Sequence, residues 1–262
     1  MYSQEHKNYL KKIKKRKFLI RFVQIIIVVL FVLIWQISAN NGWINTFIAS
    51  SPKAILDTIC SLYGDGSLFY HIGITFYEVF ISFIIGTVIG LFISTILWKY
   101  EFLAKVLDPY LTVLNSLPKV SLGPIIIIVA GAGISSIILM ALFISVIITI
   151  MNIYQAFIST DTNKVRLMKS FKASDHQIFL KLILPSNFEN IINTFKVNIS
   201  LTFIGVVMGE FLVSKAGVGY LIMYGSQVFN LNLVFTGIII LAVMASLMYY
   251  LILFIEKRLS SR

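Results

Sequence analysis

Read from its amino terminus, the chain alternates between long runs without charge and short segments where charge is concentrated. No Asp, Glu, Lys or Arg lies between Arg21 and Lys53, between Glu78 and Lys99, between Lys119 and Asp161, or between Lys215 and Glu256. A helix needs about 20 mostly apolar residues to cross the ~30 Å hydrocarbon core of a bilayer, so each run can hold a span. The pattern predicts six spans, at 18–38, 72–98, 107–130, 134–156, 191–213 and 233–255. The third contains Pro109, Pro118 and Pro124. Proline withdraws a backbone donor and kinks a helix, and lipid tolerates this only where neighbours or a wet cavity re-satisfy the backbone. That span is therefore expected to be one kinked helix lining an internal surface.

The connections carry turn and cap signals. Ser51-Pro52 predicts the start of a short amphipathic helix over 54–62, and Gly64-Asp65-Gly66 predicts a turn. Gly131-Ala132-Gly133 separates the third and fourth spans. The stretch 215–232, with Gly217, Gly219 and Gly225, reads as a re-entrant or surface segment. The longest polar insertion, 161–185, reads as two short amphipathic helices joined at 172–175. Ser174 is placed to cap the second. In that helix Ile178, Phe179 and Leu182 recur at helical spacing beside Lys181, and Pro185 is expected to stop it. A short helix with an apolar edge suits a groove on a partner.

Charge fixes the orientation. The 262 residues carry 22 Lys and Arg against 11 Asp and Glu, a net charge of +11, yet only 13% are charged and 58% are hydrophobic. Soluble domains carry about 25% charged residues. The basic residues gather at 7–21, at 164–181, and at Lys257, Arg258 and Arg262. Cytoplasmic flanks of membrane spans carry such an excess; the opposite side would hold only Lys53 and Lys215. Both termini are thus expected in the cytoplasm, which requires an even number of spans. The same placement argues for contact with membrane lipid and against nucleic acid. The apolar run after the basic segment is longer than a signal-peptide core and has no cleavage pattern, so it reads as a retained span. The expected organisation is a basic cytoplasmic segment over 1–17, the first span and an extracytoplasmic segment over 18–71, a core over 72–258 containing the loop 161–185, and a tail over 259–262.

Chemistry-bearing residues are sparse. Cys60 is the single cysteine, and His6, His71 and His176 show no metal-ligand spacing. An intramembrane lipid-modifying enzyme would need a nucleophile or metal set beside His71 and Glu78, and none completes it. Neither half repeats the hydropathy of the other as in many secondary transporters, and an ATP-independent channel would not need an exposed cytoplasmic helix. Glu78 reads as an interfacial residue, Lys196 as snorkelling inward, and the pair Gly86 and Gly90 as a close-packing stripe.

Around the insertion the sequence resembles the EAA loop of permeases of binding-protein-dependent ABC importers. Phe171-Lys172-Ala173-Ser174 and Ile183-Leu184-Pro185 stand where that family usually has Leu-Gly-Ala-Ser and a hydrophobic-Leu-Pro ending. Lys172 departs from the usual glycine, and Lys169-Ser170 from the usual Ala-Arg-Thr type. The resemblance extends from about Ser50 to Ile222 and is similar to the aliphatic sulfonate, taurine and nitrate branch. It is carried by Ser51-Pro52, Gly86-Thr87-Val88-Ile89-Gly90, Leu107-Asp108-Pro109, Leu117-Pro118-Lys119-Val120, Gly123-Pro124, Gly209-Glu210 and Gly217-Val218-Gly219-Tyr220-Leu221-Ile222.

The resemblance implies an all-α integral membrane protein with the type I ABC importer permease fold, multi-pass in the bacterial cell membrane. It implies a homodimer of this chain on a dimer of ATP-binding-cassette ATPase subunits, fed by an extracytoplasmic substrate-binding protein. The chain would be non-catalytic, with no bound metal or cofactor. ATP and Mg would sit at the partner, consistent with the lack of a Gly-x-x-x-x-Gly-Lys-Ser/Thr loop here. Phe171, Lys172, Ala173, Ser174, Gln177, Ile178, Phe179, Leu184 and Pro185 would couple to the ATPase, with Phe179 as the foremost contact. Ser116, Pro118, Lys119, Asn198 and Glu210 are the candidates for the translocation pathway. The implied cargo is a small anion such as an aliphatic sulfonate, taurine or nitrate; nearby branches leave a pyrimidine vitamin precursor or riboflavin open.

Overall fold

Apolar runs become long helices, and glycine, proline or Ser and Asn caps separate them. The computed structural model describes residues 4–260. Its elements are α1 (Gln4–Asn40), α2 (Thr46–Ala49), α3 (Pro52–Gly64), α4 (Ser67–Lys99), α5 (Glu101–Ser116), a 3-10 turn (Lys119–Leu122), α6 (Gly123–Ala130), α7 (Ile134–Ile158), α8 (Thr162–Ser170), α9 (Asp175–Ile178), a π-helical turn (Phe179–Ile183), α10 (Leu184–Ser186), α11 (Phe188–Val213), α12 (Val218–Gln227) and α13 (Leu231–Ser260). There is no strand among the described residues. Helices α1, α4, α7, α11 and α13 are each long and apolar enough to cross a membrane, and the α5–α6 pair makes a sixth if it counts as one broken span. Ser51 caps α3 as expected, its hydroxyl accepting from the Ala54 N–H at 3.2 Å.

Central helix α7 is gripped from two sides by stripes of small residues. On α4 a Cβ at Gly90 would come 2.4 Å from Thr149 Cγ2, and one at Gly86 would come 3.2 Å from Ser145 Oγ. On α11 a Cβ at Gly205 would meet Ala141 Cα at 2.4 Å, and one at Gly209 would meet Ile137 Cα at 2.9 Å. Between membrane helices, packing rather than water expulsion drives association, so close backbone approach is what holds them together. The buried side of α4 is accordingly mostly small or polar, with His71, Thr75, Glu78, Ser82, Gly86, Gly90 and Ser94 on it. Most of its large apolar side chains face outward; Leu68, Val79 and Leu97 are buried with the small and polar residues.

Helix α1 stands apart. None of its described residues is buried. It is fastened near its C-terminal end, where Trp35 packs on Phe235 at 5.8 Å between ring centroids and Gln36 Oε1 accepts from the Lys53 N–H at 2.9 Å.

The third span differs from the single kinked helix expected. Its halves are bent by 88°. Only Pro118 marks the break: Pro109 lies inside α5, and Pro124 occupies the first turn of α6, where a missing donor does no harm. Leu117, ahead of Pro118, is forced to extended backbone (ψ 141°). Lys196 also differs from expectation. Rather than snorkelling alone, it pairs with Glu256 at 2.8 Å, and both side chains are largely buried.

Candidate functional site

The insertion between α7 and α11 builds a protruding two-helix unit. Asp161 starts α8, its carboxylate accepting from the Asn163 N–H at 2.8 Å. The end of α8 closes with two bonds, from the Lys172 N–H to Lys169 O at 2.9 Å and from the Ala173 N–H to Met168 O at 3.1 Å. Such a double closure requires a left-handed residue at the corner, and that residue is Lys172, with φ +58°. A side chain there costs about 1 kcal/mol or more, which accounts physically for the glycine usual in the resembling loops. Ser174 and Gln177 then form a reciprocal cap: the Ser174 hydroxyl accepts from the Gln177 N–H, and Gln177 Oε1 accepts from the Ser174 N–H at 2.9 Å.

From α9 the chain runs on through the π-helical turn, so Pro185 does not stop the helix as expected. It sits in the first turn of α10, which needs no donor from it. Asn187 makes the actual corner. Its Nδ2 donates to Thr160 Oγ1 at 2.7 Å and to Ile183 O at 2.9 Å, tying both ends of the insertion together.

Two faces result. Ile178 is buried, and the Phe179 ring packs on Trp98 of α4 at 5.0 Å and on Phe157 of α7 at 5.4 Å. Ala173 and Leu184 are half-buried in the same cluster. The outward face presents Phe171, 76% exposed, with Lys172, Gln177, Leu180 and Lys181. The capped corner thus presents an exposed aromatic together with the exposed cations Lys172 and Lys181.

At the break in the third span, side chains replace the lost backbone bonds. Lys119 Nζ donates to Asn115 O and Asn115 Oδ1, each at 3.1 Å, and Ser121 Oγ donates to Pro118 O at 2.7 Å. Ser116 and Pro118 are exposed beside them. Lys119 forms no ion pair among the described residues.

At the other end of α4, polar groups from three helices converge on Glu210 of α11. The Thr75 hydroxyl donates to Glu210 Oε1 at 2.6 Å, and the Gly219 N–H of α12 donates to Oε2. Thr75 Oγ1 in turn accepts from the Val218 N–H at 2.7 Å, and His71 Nδ1 accepts from the Gly217 N–H at 3.0 Å. A Cβ at Gly217 or Gly219 would fall within 2.5 Å of a Glu210 oxygen, so the two glycines exist to let this carboxyl reach the backbone.

Residues 86–261 match the family model described as the binding-protein-dependent transport system inner membrane component. The chain belongs to that family. The permease is 30% identical over 229 residues to the aliphatic sulfonates transport permease protein SsuC of Bacillus subtilis, covering 86% of this chain and 82% of that one. It is 25% identical over 232 residues to the SsuC protein of Escherichia coli, covering 88% of each. Among solved structures it resembles a chain of the inward-facing MetNI methionine ABC transporter, with a TM-score of 0.63 over 74% of this chain and 94% of that one; at 18% identity this likeness speaks to the fold alone. The chain is thus the multi-pass membrane component of an ABC importer, and ATP hydrolysis falls to a partner subunit.

Against this frame of helices the sequence-derived residues fall into separate places. Phe171, Lys172, Ser174, Gln177 and Pro185 lie at the surface of the permease. Ile178 and Phe179 do not, because their side chains fill the gap between α9 and the ends of α4 and α7. Phe171 therefore takes the foremost outward position that Phe179 was expected to hold. Ser116, Pro118 and Lys119 cluster at the break, whereas Asn198 and Glu210 are buried elsewhere: Asn198 Nδ2 donates to Thr87 Oγ1 at 2.9 Å, joining α11 to α4. The polar stripe of α4 and the glycine pair Gly205 and Gly209 escaped the sequence reading. Their spacing of three to four residues was the available signal.

Proposed function

We propose that the permease works as a homodimer on two cytoplasmic ATP-binding-cassette subunits, with the outward face of α8–α9 seated in a groove of each ATPase. The observation that carries this reading is the division of the insertion into two faces. Phe171 and its neighbouring cations project from the chain, while Ile178 and Phe179 root the same unit in α4 and α7. A displacement of α9 is then transmitted to the spans rather than absorbed by a loose loop. ATP and Mg stay at the ATPase, and an extracytoplasmic binding protein delivers cargo at the opposite end. A ligand or partner shifts the inward- and outward-open states only by its differential affinity for them.

The cargo proposed is a small anion of the alkanesulfonate, taurine or nitrate type. The similarity to two permeases named for aliphatic sulfonates supports it, as does Lys119, a cation in the broken third span that bonds Asn115 and forms no ion pair among the described residues. Intramembrane charges face the bundle interior or a wet path far more often than lipid.

Co-purification tests the docking face. Tagged permease should bring down an ATP-binding-cassette subunit, and Phe171→Asp should release it while the permease keeps its thermal stability. Full retention of the ATPase by that variant would overturn the placement. For cargo, calorimetry on the cognate binding protein should return an alkanesulfonate or taurine, and ATP-driven uptake into liposomes should follow the same ligand. A pyrimidine vitamin precursor or riboflavin bound instead would refute the anion.

A further inference from the structure

Two carboxyl groups meet inside the membrane-spanning part of the permease. Glu78 of α4 is 0% exposed and Glu210 of α11 is 1% exposed, and Glu78 lies one turn along the buried face of α4 from Thr75, whose hydroxyl donates to Glu210 Oε1 at 2.6 Å. Among the described residues neither forms an ion pair with a lysine, arginine or histidine. His71, on the same buried face of α4, accepts from the Gly217 N–H at Nδ1, so that nitrogen carries no proton.

The donors around the pair are distributed unequally. Glu210 receives the Thr75 hydroxyl on one oxygen and the Gly219 N–H on the other, the pattern that suits an ionised carboxylate. Glu78 receives none: both of its oxygens are buried without a donor. Two acceptors in contact repel unless one carries a hydrogen, and a buried polar atom left unpaired is costly. Both difficulties vanish together if Glu78 is the acid and donates to Glu210.

We propose that Glu78 and Glu210 bind one proton between them, carried on Glu78, and that this hydrogen-bonded pair latches α12 against α4 and α11. The proton is the ligand of the site, Glu210 the anion it serves, and Thr75 and the Gly217–Gly219 backbone the cradle that orients that anion. Glu78 is a positioning residue. Its role is to hold Glu210 where the α12 backbone can donate to it.

The test compares the full-length permease with Glu78→Gln and Glu210→Gln, all purified in detergent. A glutamine amide can donate to Glu210 as the acid does, so Glu78→Gln should unfold at the wild-type temperature. In Glu210→Gln an amide hydrogen must face a donor, so unfolding should begin several degrees lower. Infrared difference spectra of wild type minus Glu78→Gln at neutral pH should contain a protonated-carboxyl stretch that shifts in D2O, a signature that packing alone would not produce. Absence of that band, with a carboxylate band lost instead, would overturn the proposal. So would equal destabilisation by the two substitutions. Repeating the melts in sodium chloride and in choline chloride separates the alternative of a bound metal cation: no difference is expected, and stabilisation by sodium would replace the proton with the ion.

Discussion

Replacing Gly205 by alanine would place a new Cβ 2.4 Å from Ala141 Cα, 3.0 Å from Ala141 N and 3.1 Å from Ala141 Cβ. Carbon atoms in good contact sit about 3.5–4.0 Å apart, so α11 and α7 would have to separate by roughly 1 Å at that level. No flexible side chain can yield instead, because the nearest atoms are backbone. A gap of that size already forfeits a quarter to a half of each dispersion contact along the seam, and overpacking of this kind costs about 1–3 kcal/mol. Against it stands the helix preference of alanine over glycine, worth about 1 kcal/mol. The clash wins narrowly, and Gly205→Ala should be destabilised by about 1 kcal/mol. Gly73 of α4 is the control, since a Cβ there meets nothing within 4 Å. Gly73→Ala should be neutral or stabilised by up to about 1 kcal/mol. The assay is unfolding of the purified permease by SDS in mixed micelles, followed by tryptophan fluorescence. If the two variants unfold at the same denaturant fraction, the argument that α7 is held by backbone approach is wrong.

Lys172→Gly should stabilise the α8–α9 corner by about 1 kcal/mol, because glycine alone accepts φ +58° without strain; slower proteolytic nicking after Lys169 would report it. Phe179→Ala should cost about 3 kcal/mol of packing against Trp98 and Phe157, and it should leave ATP hydrolysis by the partner running without uptake. The pair Lys196 and Glu256 should show coupling in a double-substitution cycle: Lys196→Gln alone costs about 2 kcal/mol, and the exchange Lys196→Glu with Glu256→Lys recovers most of it. Ser174→Ala should lose about 1 kcal/mol through the missing cap, read as a lower melting temperature.

Five of the six expected spans and the two-helix insertion were legible because they rest on charge-free length and on local caps such as Ser51 and Ser174, which act within three residues. The family resemblance was legible for a similar reason, since Gly217-Val218-Gly219 and the Pro118 break are local motifs. Which face each span buries was not. In lipid the outside is as apolar as the inside, so α4 shows no amphipathic period, and its inner side is written mainly in small and polar residues from His71 to Ser94. The apolar face of Ile178, Phe179 and Leu182 was legible, but its partner was not, because Trp98 and Phe157 lie on spans far away in sequence. Lys196 found Glu256 sixty residues away, and no local pattern announces a partner at that distance. Likewise, Glu78 looked interfacial by position, whereas its surroundings come from α11.

The grip on α4 at Gly86 and Gly90 lies midway between two anchored points of a stiff rod, Glu78 and Trp98. Position 88 is ten residues from Trp98, where Phe179 is wedged, and ten residues from Glu78, so each arm measures about 15 Å. A rod held at such a fulcrum tilts like a balance beam: when a partner swings one tip inward, the opposite tip swings outward by a similar amount. On the coupling proposed above, one short wedge at that tip would then be enough to reverse which side of the bundle stands open.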